Sequence, residues 1–331
     1  MRRSFILICL CALLLICGCA APGYDEENSV VGFYFDTVVT LYGYCPAETL
    51  KAAMDGCAQY ERMLSKTIEG SDVWRINHAN GMPVKVSKQT IELLQTAKDI
   101  GEASGGVFDV SIEPAAALWD FSAEAPCLPD AAALALAVSK VDYSLIELGE
   151  DTVTLPAGMQ LDLGGIAKGY ISACIAEQLK DAGVDSALLD FGGNMVAIGS
   201  KPGGFPWRIG IKDPADPYGD VLMSIDCVDC AVVTSGNYER CFDLDGVRYH
   251  HILDVRSGLP VQNGVSQFSI VSGDPALADA LSTACFALGP EEGLALAERY
   301  GAHGICVLDD GSILTTKNFR ENAVYQFFPY R

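Results

Sequence analysis

Positive charge is what this 331-residue chain has least of. Its 22 lysines and arginines stand against 43 aspartates and glutamates, for a net charge of −21. Such a chain repels nucleic acid and anionic lipid. An anionic ligand can bind it only through local amides, a lysine or a bridging divalent cation. Histidine is sparse too, with four residues. The one close pair is His250-His251, and adjacent residues rarely share one metal, so a zinc site is not supported. No apolar run beyond residue 16 is long enough to span a membrane, and internal repeats and low-complexity tracts are missing. Cysteine is present but forms no disulfide framework: beyond Cys19 the count is odd and the spacing irregular. Most of these residues read as buried thiols acting as small hydrophobes. Cys227-Val228-Asp229-Cys230 has redox or zinc spacing, but no second pair completes a site, so it reads as strand residues.

The N-terminus reads as a secretion signal. Arg2 and Arg3 precede an apolar stretch from Phe5 to Ile16 that is too short to span a bilayer comfortably. Ile16-Cys17-Gly18-Cys19 resembles a bacterial lipobox. On this reading residues 1–18 are removed and Cys19 is lipidated. Residues 19–31 then form an acidic, flexible tether that holds a domain of residues 32–331 at a membrane face, on the extracytoplasmic side of the cell envelope.

Pattern predicts the elements of that domain. Gly32–Tyr44 reads as one strand, rich in aromatic and β-branched residues. Pro46 opens a helix through Leu64, and Ser65–Gly81 reads as a polar surface loop. Ser87 caps a helix to Ala103. Short helices follow near Glu113–Trp119 and Pro126–Lys140. Strands dominate from Ser144: a hairpin of Ser144–Leu148 and Thr152–Leu155, then Ser186–Asp190, Met195–Ile198, Trp207–Ile211, Val221–Ile225, Ala231–Thr234, Arg248–Leu253 and Val265–Val271. Helices are expected over Ile166–Lys180, Pro275–Leu288 and Pro290–Tyr300. Strands adjacent in sequence, without regular helical crossovers, indicate an α+β fold.

One stretch concentrates chemistry. In Leu161-Asp162-Leu163-Gly164-Gly165-Ile166-Ala167-Lys168-Gly169-Tyr170 a carboxylate ends an apolar run, two glycines follow, and a lysine opens a helix. Gly165 lets a ligand or ion approach the main chain, and the helix N-terminus points amides and a positive dipole end at the same spot. A phosphate with a metal suits that arrangement, although a tight strand-to-helix turn needs glycine for steric reasons alone. Asp279 and Thr283, four apart on a helix, stack two hard oxygen donors on one face; equally, Asp279 could be solvated and Thr283 bonded back to its own helix. In Tyr249-His250-His251-Ile252-Leu253-Asp254 neighbouring side chains face opposite ways, so only one histidine can enter a cleft.

Seven motifs in order resemble the ApbE-type FAD:protein FMN transferases: Phe35-Asp36-Thr37, Gly106-Val107-Phe108-Asp109, Asp162 to Tyr170, Gly192-Gly193-Asn194, Thr234-Ser235-Gly236, His251-Ile252-Leu253-Asp254 and Asp279 to Thr283. The resemblance runs from Gly32 to the C-terminus. It implies an α+β, mixed-sheet architecture of two closely packed subdomains, with FAD in the cleft between them and Mg2+ at its diphosphate. By position, the Gly165 carbonyl, Asp279 and Thr283 correspond to magnesium ligands. Phe35, Val107, Phe108, Asp109, Asp162, Lys168 and the main chain of Leu253 correspond to FAD-binding positions, and His251 to the general base. The implied reaction uses FAD as substrate and moves FMN to a Ser or Thr hydroxyl of an extracytoplasmic protein, a membrane redox subunit or exported flavin reductase, with release of AMP. FAD hydrolysis to FMN and AMP, and a non-catalytic flavin-binding lipoprotein, are the rival readings. Ser282 stands where some members carry a second metal-site aspartate, which speaks against a two-metal site.

Overall fold

A computed structural model describes residues 26–123, 125–317, 319 and 326–329. The signal segment 1–18 and Cys19 lie outside these residues. The predicted tether ends earlier than residue 31, because strand pairing already begins at Asn28.

In chain order the strands are β1 (Asn28–Tyr34), β2 (Thr37–Gly43), β3 (Val84–Lys85), β4 (Glu147–Leu148), β5 (Thr152–Thr154), β6 (Ala187–Phe191), β7 (Asn194–Ile198), β8 (Trp207–Asp213), β9 (Asp216–Cys227), β10 (Ala231–Gly236), β11 (Cys241–Leu244), β12 (Val247–His250), β13 (Val265–Ser272), β14 (His303–Leu308), β15 (Ile313–Thr315) and β16 (Gln326–Pro329). The helices are α1 (Ala47–Leu64), α2 (Asp72–Asn77), α3 (Lys88–Ala103), α4 (Glu113–Ala116), α5 (Ala131–Val138), α6 (Ala167–Asp181), α7 (Pro275–Leu288) and α8 (Pro290–Arg299).

The centre of the molecule is an eight-stranded sheet, ordered β1-β2-β6-β7-β10-β13-β14-β15. Alternation along its strands divides two cores. Val196, Val233, Ile270 and Cys306 face the helical layer, where residues of α1, α3, α6 and α7 join them. Their neighbours Ala197, Val232, Val271 and Ile305 face the opposite way, onto Trp207, Ile209, Met223 and Ile225 of β8 and β9. The fold is thus helices on one face of a sheet and a small sheet, β16-β9-β8, on the other. The α+β class holds. The expected mixed sheet does not: every ladder of the eight-stranded sheet is antiparallel, and the parallel pairing described is the isolated bridge Ile112–Gln160.

Several local expectations are corrected. Gly32–Tyr44 is two strands, because Phe35 and Asp36 both take φ of +57° and turn the chain back on itself. That two-residue turn normally selects Asn-Gly or Asp-Gly, and a bulky Phe in this conformation gives no sequence signal. Ser65–Gly81 is not merely loop; it contains α2, capped by Ser71 Oγ on the Trp74 amide. Tyr143–Leu145 is a 3₁₀ turn ahead of β4. The helices predicted over Glu113–Trp119 and Pro126–Lys140 shorten to α4 and α5, and β11 was not anticipated. The predicted caps are in place: Ser87 Oγ accepts from the Thr90 amide. Cys227 and Cys230 are buried in the smaller core, free, where β9 passes into β10.

Helices α6 and α7 cross at a glycine. A Cβ on Gly169 would lie 2.3 Å from the Pro275 carbonyl oxygen and 2.4 Å from Asp279 Cβ. Both contacts involve groups fixed in a helix, so Gly169→Ala must push α6 off α7. We expect a loss of about 1–3 kcal/mol, read as a lower Tm in thermal unfolding. Gly273→Ala, with nothing within 4 Å of the added Cβ, should leave Tm unchanged.

Candidate functional site

The end of the sheet where β6 turns into β7 carries the candidate site. Gly192 and Gly193, at φ of +66° and +94°, make the turn, and Thr37 of the neighbouring hairpin packs against Gly192 so closely that a Cβ there would lie 2.1 Å from its Oγ1. The turn delivers Asn194, whose side-chain amide donates to Asp279 Oδ1 at 2.9 Å. Phe35 sits at the tip of that neighbouring hairpin. Its amide donates to Glu61 Oε1 at 2.7 Å, and its ring stacks on Phe191 with centroids 6.3 Å apart.

Asp279 is 3 % exposed. Its Oδ2 accepts the Gly169 amide at 2.7 Å, so α7 caps α6 in the third dimension; Ile166, at the N-cap position, supplies no side-chain cap. The helix N-terminus is therefore partly closed from within. The Ile166 and Ala167 amides both go to the Leu163 carbonyl, at 3.0 and 2.8 Å, and the Gly169 amide is spent on Asp279. What the turn keeps for a ligand includes the helix dipole, the Asp279 carboxylate and the Gly165 and Lys168 amides, which take no part in these bonds.

Both donors to Asp279 are neutral, so a buried carboxylate is hydrogen-bonded without being neutralised by them. Burying a charge in this way is costly unless a cation compensates it. Thr283 lies one turn further along α7, and a Cβ on Gly165 would come within 3.3 Å of both Thr283 Oγ1 and the Phe108 ring. Gly165, Phe108, Asp279 and Thr283, far apart in sequence, therefore converge. The donor set of carboxylate, hydroxyl and main-chain carbonyl is all hard oxygen and fits a magnesium-like ion. Ser282 is turned elsewhere: its Oγ donates to the Asp279 carbonyl at 2.8 Å and meets Ser235 Oγ at 2.9 Å. No cluster of three or more His, Cys, Asp or Glu side chains suited to a metal occurs among the described residues.

The two adjacent histidines separate as the strand pattern requires. His250 ends β12 inside the core. Its Nε2 bonds the Val261 carbonyl at 2.9 Å while Nδ1 accepts the Ile252 amide at 3.3 Å. His251 lies just past the strand, its amide donating to the Arg240 carbonyl at 3.1 Å. Its Nδ1 is buried, and no described group bonds it. Burial, reinforced by the nearby positive charges of Lys168 and Arg240, lowers its pKa to about 4, so the ring is neutral at pH 7. Lys168 also faces Glu239.

Other predicted residues do different work from what their types suggested. Asp162 does not pair with Lys168; its Oδ2 meets Lys66 Nζ at 2.8 Å and its Oδ1 accepts the Gly164 amide at 2.7 Å. Asp109 is engaged by protein donors on both oxygens, accepting from the Ser111 amide and hydroxyl at 2.7 and 2.6 Å and, across to the 3₁₀ turn ahead of β4, from the Tyr143 amide at 2.8 Å. Phe108 is 4 % exposed, which leaves half-buried Val107 as the side chain of that segment open to a ligand. Leu253 is also buried, and its backbone pairs with Pro260, so it has only main chain to offer. Sequence reasoning missed Lys66, Glu61, Asn77 and Arg240. None sits in a motif; each is recruited from a segment distant in the chain. An aromatic cluster of Trp119, Phe121, Phe242 and Tyr249 fastens the β11–β12 hairpin beside the site, and Trp119 Nε1 donates to the Gly258 carbonyl at 2.9 Å, tying down the turn after Asp254.

Comparison with known proteins identifies the family. Residues 34–307 match the sequence model of the ApbE family. A FAD:protein FMN transferase of Treponema pallidum is 35% identical, over 93% of this chain and 91% of that protein. One of Klebsiella pneumoniae is 36% identical, over 77% of this chain and 81% of its own length. The crystal structure of the Pseudomonas stutzeri flavinyl transferase ApbE, in its apo form, superposes with a TM-score of 0.80 at 30% identity, covering 90% of this chain and 96% of that one.

The His251 environment makes a prediction about acid stability. A folded-state pKa near 4 lies below the ordinary value of about 6.5. Between these limits the unfolded chain holds a proton that the folded chain does not, so stability rises with pH there and is lost as pH falls through the window. Urea unfolding at pH 6.8 and pH 5 should show this loss, and His251→Gln should reduce it. NMR should find the His251 ring neutral at pH 6.

Proposed function

The chain belongs to the ApbE family, and on that premise we propose that it transfers the FMN moiety of FAD to a Ser or Thr hydroxyl of a target protein, forming a phosphoester and releasing AMP. The observation that carries this reading is the neutral His251 ring, which feels Lys168 and whose buried Nδ1 no described group bonds, together with a buried Asp279 carboxylate that, among the described residues, accepts from two neutral donors.

Phosphoryl transfer demands positioning and charge compensation more than covalent chemistry from the protein. The target hydroxyl attacks the phosphorus on the riboflavin side of FAD, and AMP departs. His251 accepts the hydroxyl proton, which a neutral imidazole can do near pH 7. Lys168 and Arg240 give a chain of net charge −21 a local positive field for the diphosphate. Phe35, its amide held by Glu61, and the main chain of Leu253 would contact the flavin cofactor. Asp279, Thr283 and the Gly165 carbonyl would hold Mg2+. That ion would offset charge on the diphosphate and on the leaving phosphate.

The same reading includes the anchor. Cys19 would be lipidated after removal of residues 1–18, placing the enzyme on the extracytoplasmic face of a bacterial membrane, where its acceptor is an exported or membrane-bound redox protein. No helix among the described residues is long and apolar enough to cross a membrane.

The test is intact mass of a threonine-bearing acceptor protein after incubation with the enzyme, FAD and magnesium. An FMN-sized gain that EDTA abolishes is expected. FMN and AMP in solution with the acceptor unlabelled would identify a hydrolase instead, and intact bound FAD a flavin carrier. His251→Ala should slow transfer by about 100- to 10,000-fold with FAD still bound; equal loss of FAD binding and rate would make His251 a binding residue. Asp279→Ala should shift the magnesium titration to higher concentration, and an unchanged titration would remove Asp279 from the metal site.

A further inference from the structure

Lys66 lies in the polar segment between α1 and α2, in no motif of the chain. Its ammonium reaches two carboxylates, Asp162 Oδ2 at 2.8 Å and Glu113 Oε2 at 2.5 Å. The side chains are 34 % exposed for Lys66, 25 % for Asp162 and 14 % for Glu113. We propose that Lys66, anchored by Glu113, is a positioning residue for FAD: it holds the Asp162 turn in place and cancels charge that would otherwise oppose the diphosphate. The inference rests on the FAD reading above.

Three segments meet at this ammonium, and two of them carry predicted site residues. Residues 107–113 bring Val107, Phe108 and Asp109 and end at Glu113. Residues 161–165 bring Asp162 and the Gly165 carbonyl. The third segment, residues 65–77, contributes Lys66 itself and Asn77, whose side chain clasps the Leu161 backbone from both sides: Oδ1 accepts the Leu161 amide at 2.7 Å and Nδ2 donates to its carbonyl at 2.9 Å. The Asp162 amide donates to the Val110 carbonyl at 2.8 Å. The backbone of the turn is thus fixed by Asn77 and Val110, and its carboxylate by Lys66. Asp162 divides its oxygens, one to the Gly164 amide and one to Lys66, so the glycine turn is coupled through a single side chain to the ammonium.

The charge argument is independent of the geometric one. Glu113 and Asp162 interact directly with each other as well as with Lys66. Two carboxylates that share a site cannot both stay ionised cheaply. With Lys66 the cluster carries −1; without it, −2 or a shared proton. The groups facing Asp162 are Lys66, Glu113 and Arg240, and those facing Glu113 are Lys66 and Asp162. Of these only Arg240 would remain to offset the pair.

The test compares wild type, Lys66→Met, Lys66→Arg, Glu113→Gln and Lys66→Met/Glu113→Gln. FAD binding is read by flavin fluorescence from pH 6 to 8.5, and KM and kcat by acceptor labelling. Lys66→Met should raise the FAD Kd and KM by about tenfold, the scale of a broken half-buried charge pair, with kcat within about threefold. The rise should grow with pH as the remaining carboxylate pair loses its shared proton. Lys66→Arg should restore most of the affinity. The double variant should bind better than Lys66→Met alone and lose the added pH dependence. A structural brace alone would lower Tm in Lys66→Met and leave Kd, KM and their pH profiles unmoved, which would overturn the proposal. So would a double variant no better than Lys66→Met. If wild type itself binds no FAD, the functional reading falls and this inference with it; if wild type binds and Lys66→Met binds equally well, only the inference falls.

Discussion

The buried carboxylate of Asp279 is the interaction on which the rest of the site depends. It takes the Gly169 amide on one oxygen and the Asn194 side chain on the other. Those two bonds join α7 to α6 and to the β6–β7 turn. The crossing is close because Gly169 has no side chain. A longer residue at either position would separate the helices and carry Thr283 away from Gly165. The packing of the helical layer and the convergence of the oxygen donors are therefore one constraint seen from two sides. Among the described residues this carboxylate accepts from two neutral donors, a setting in which a bound cation is favoured.

Around that centre the sheet acts as a rigid edge. Two tight hairpin turns lie side by side, Phe35-Asp36 and Gly192-Gly193, with Thr37 wedged on Gly192. The glycine turn is unstrained. The Phe35-Asp36 turn places two ordinary side chains in the left-handed region, which costs of order 1–3 kcal/mol per residue. Glu61 offsets part of this by accepting the Phe35 amide. The result is an aromatic ring held at a fixed angle at the sheet's end. A relaxed turn would let it swing.

How much of this was legible in the chain depends on what kind of signal each feature leaves. Helices with caps and apolar periodicity were readable: α3 with Ser87, α7 with Pro275. So were most strands of the central sheet, because one face of each strand repeats every second residue. The motif residues Gly165, Asp279, Thr283 and His251 were visible as an ordered set, and the separation of His250 from His251 followed from strand geometry. The hairpin at Phe35 was hidden because its turn residues are atypical. Lys66 and Asn77 were hidden because an ion pair across some 96 positions and a side-chain clasp across some 84 leave no local pattern; their segment reads only as polar. The partner of Asp162 was hidden for the same reason, since Lys66 belongs to a distant segment.

The strand order has a consequence for how the chain reaches this state. β1 and β2 come first in the chain, yet their place is at the sheet margin against β6, with Val39 opposite Phe191. An isolated hairpin is at best marginally stable in water; α1, next in the chain, packs on these strands, but their strand partner β6 comes only after residue 186. Loop closure over that separation must precede the contacts that reward it. The hairpin that carries Phe35 therefore takes its place at the sheet's margin only once β6 has formed.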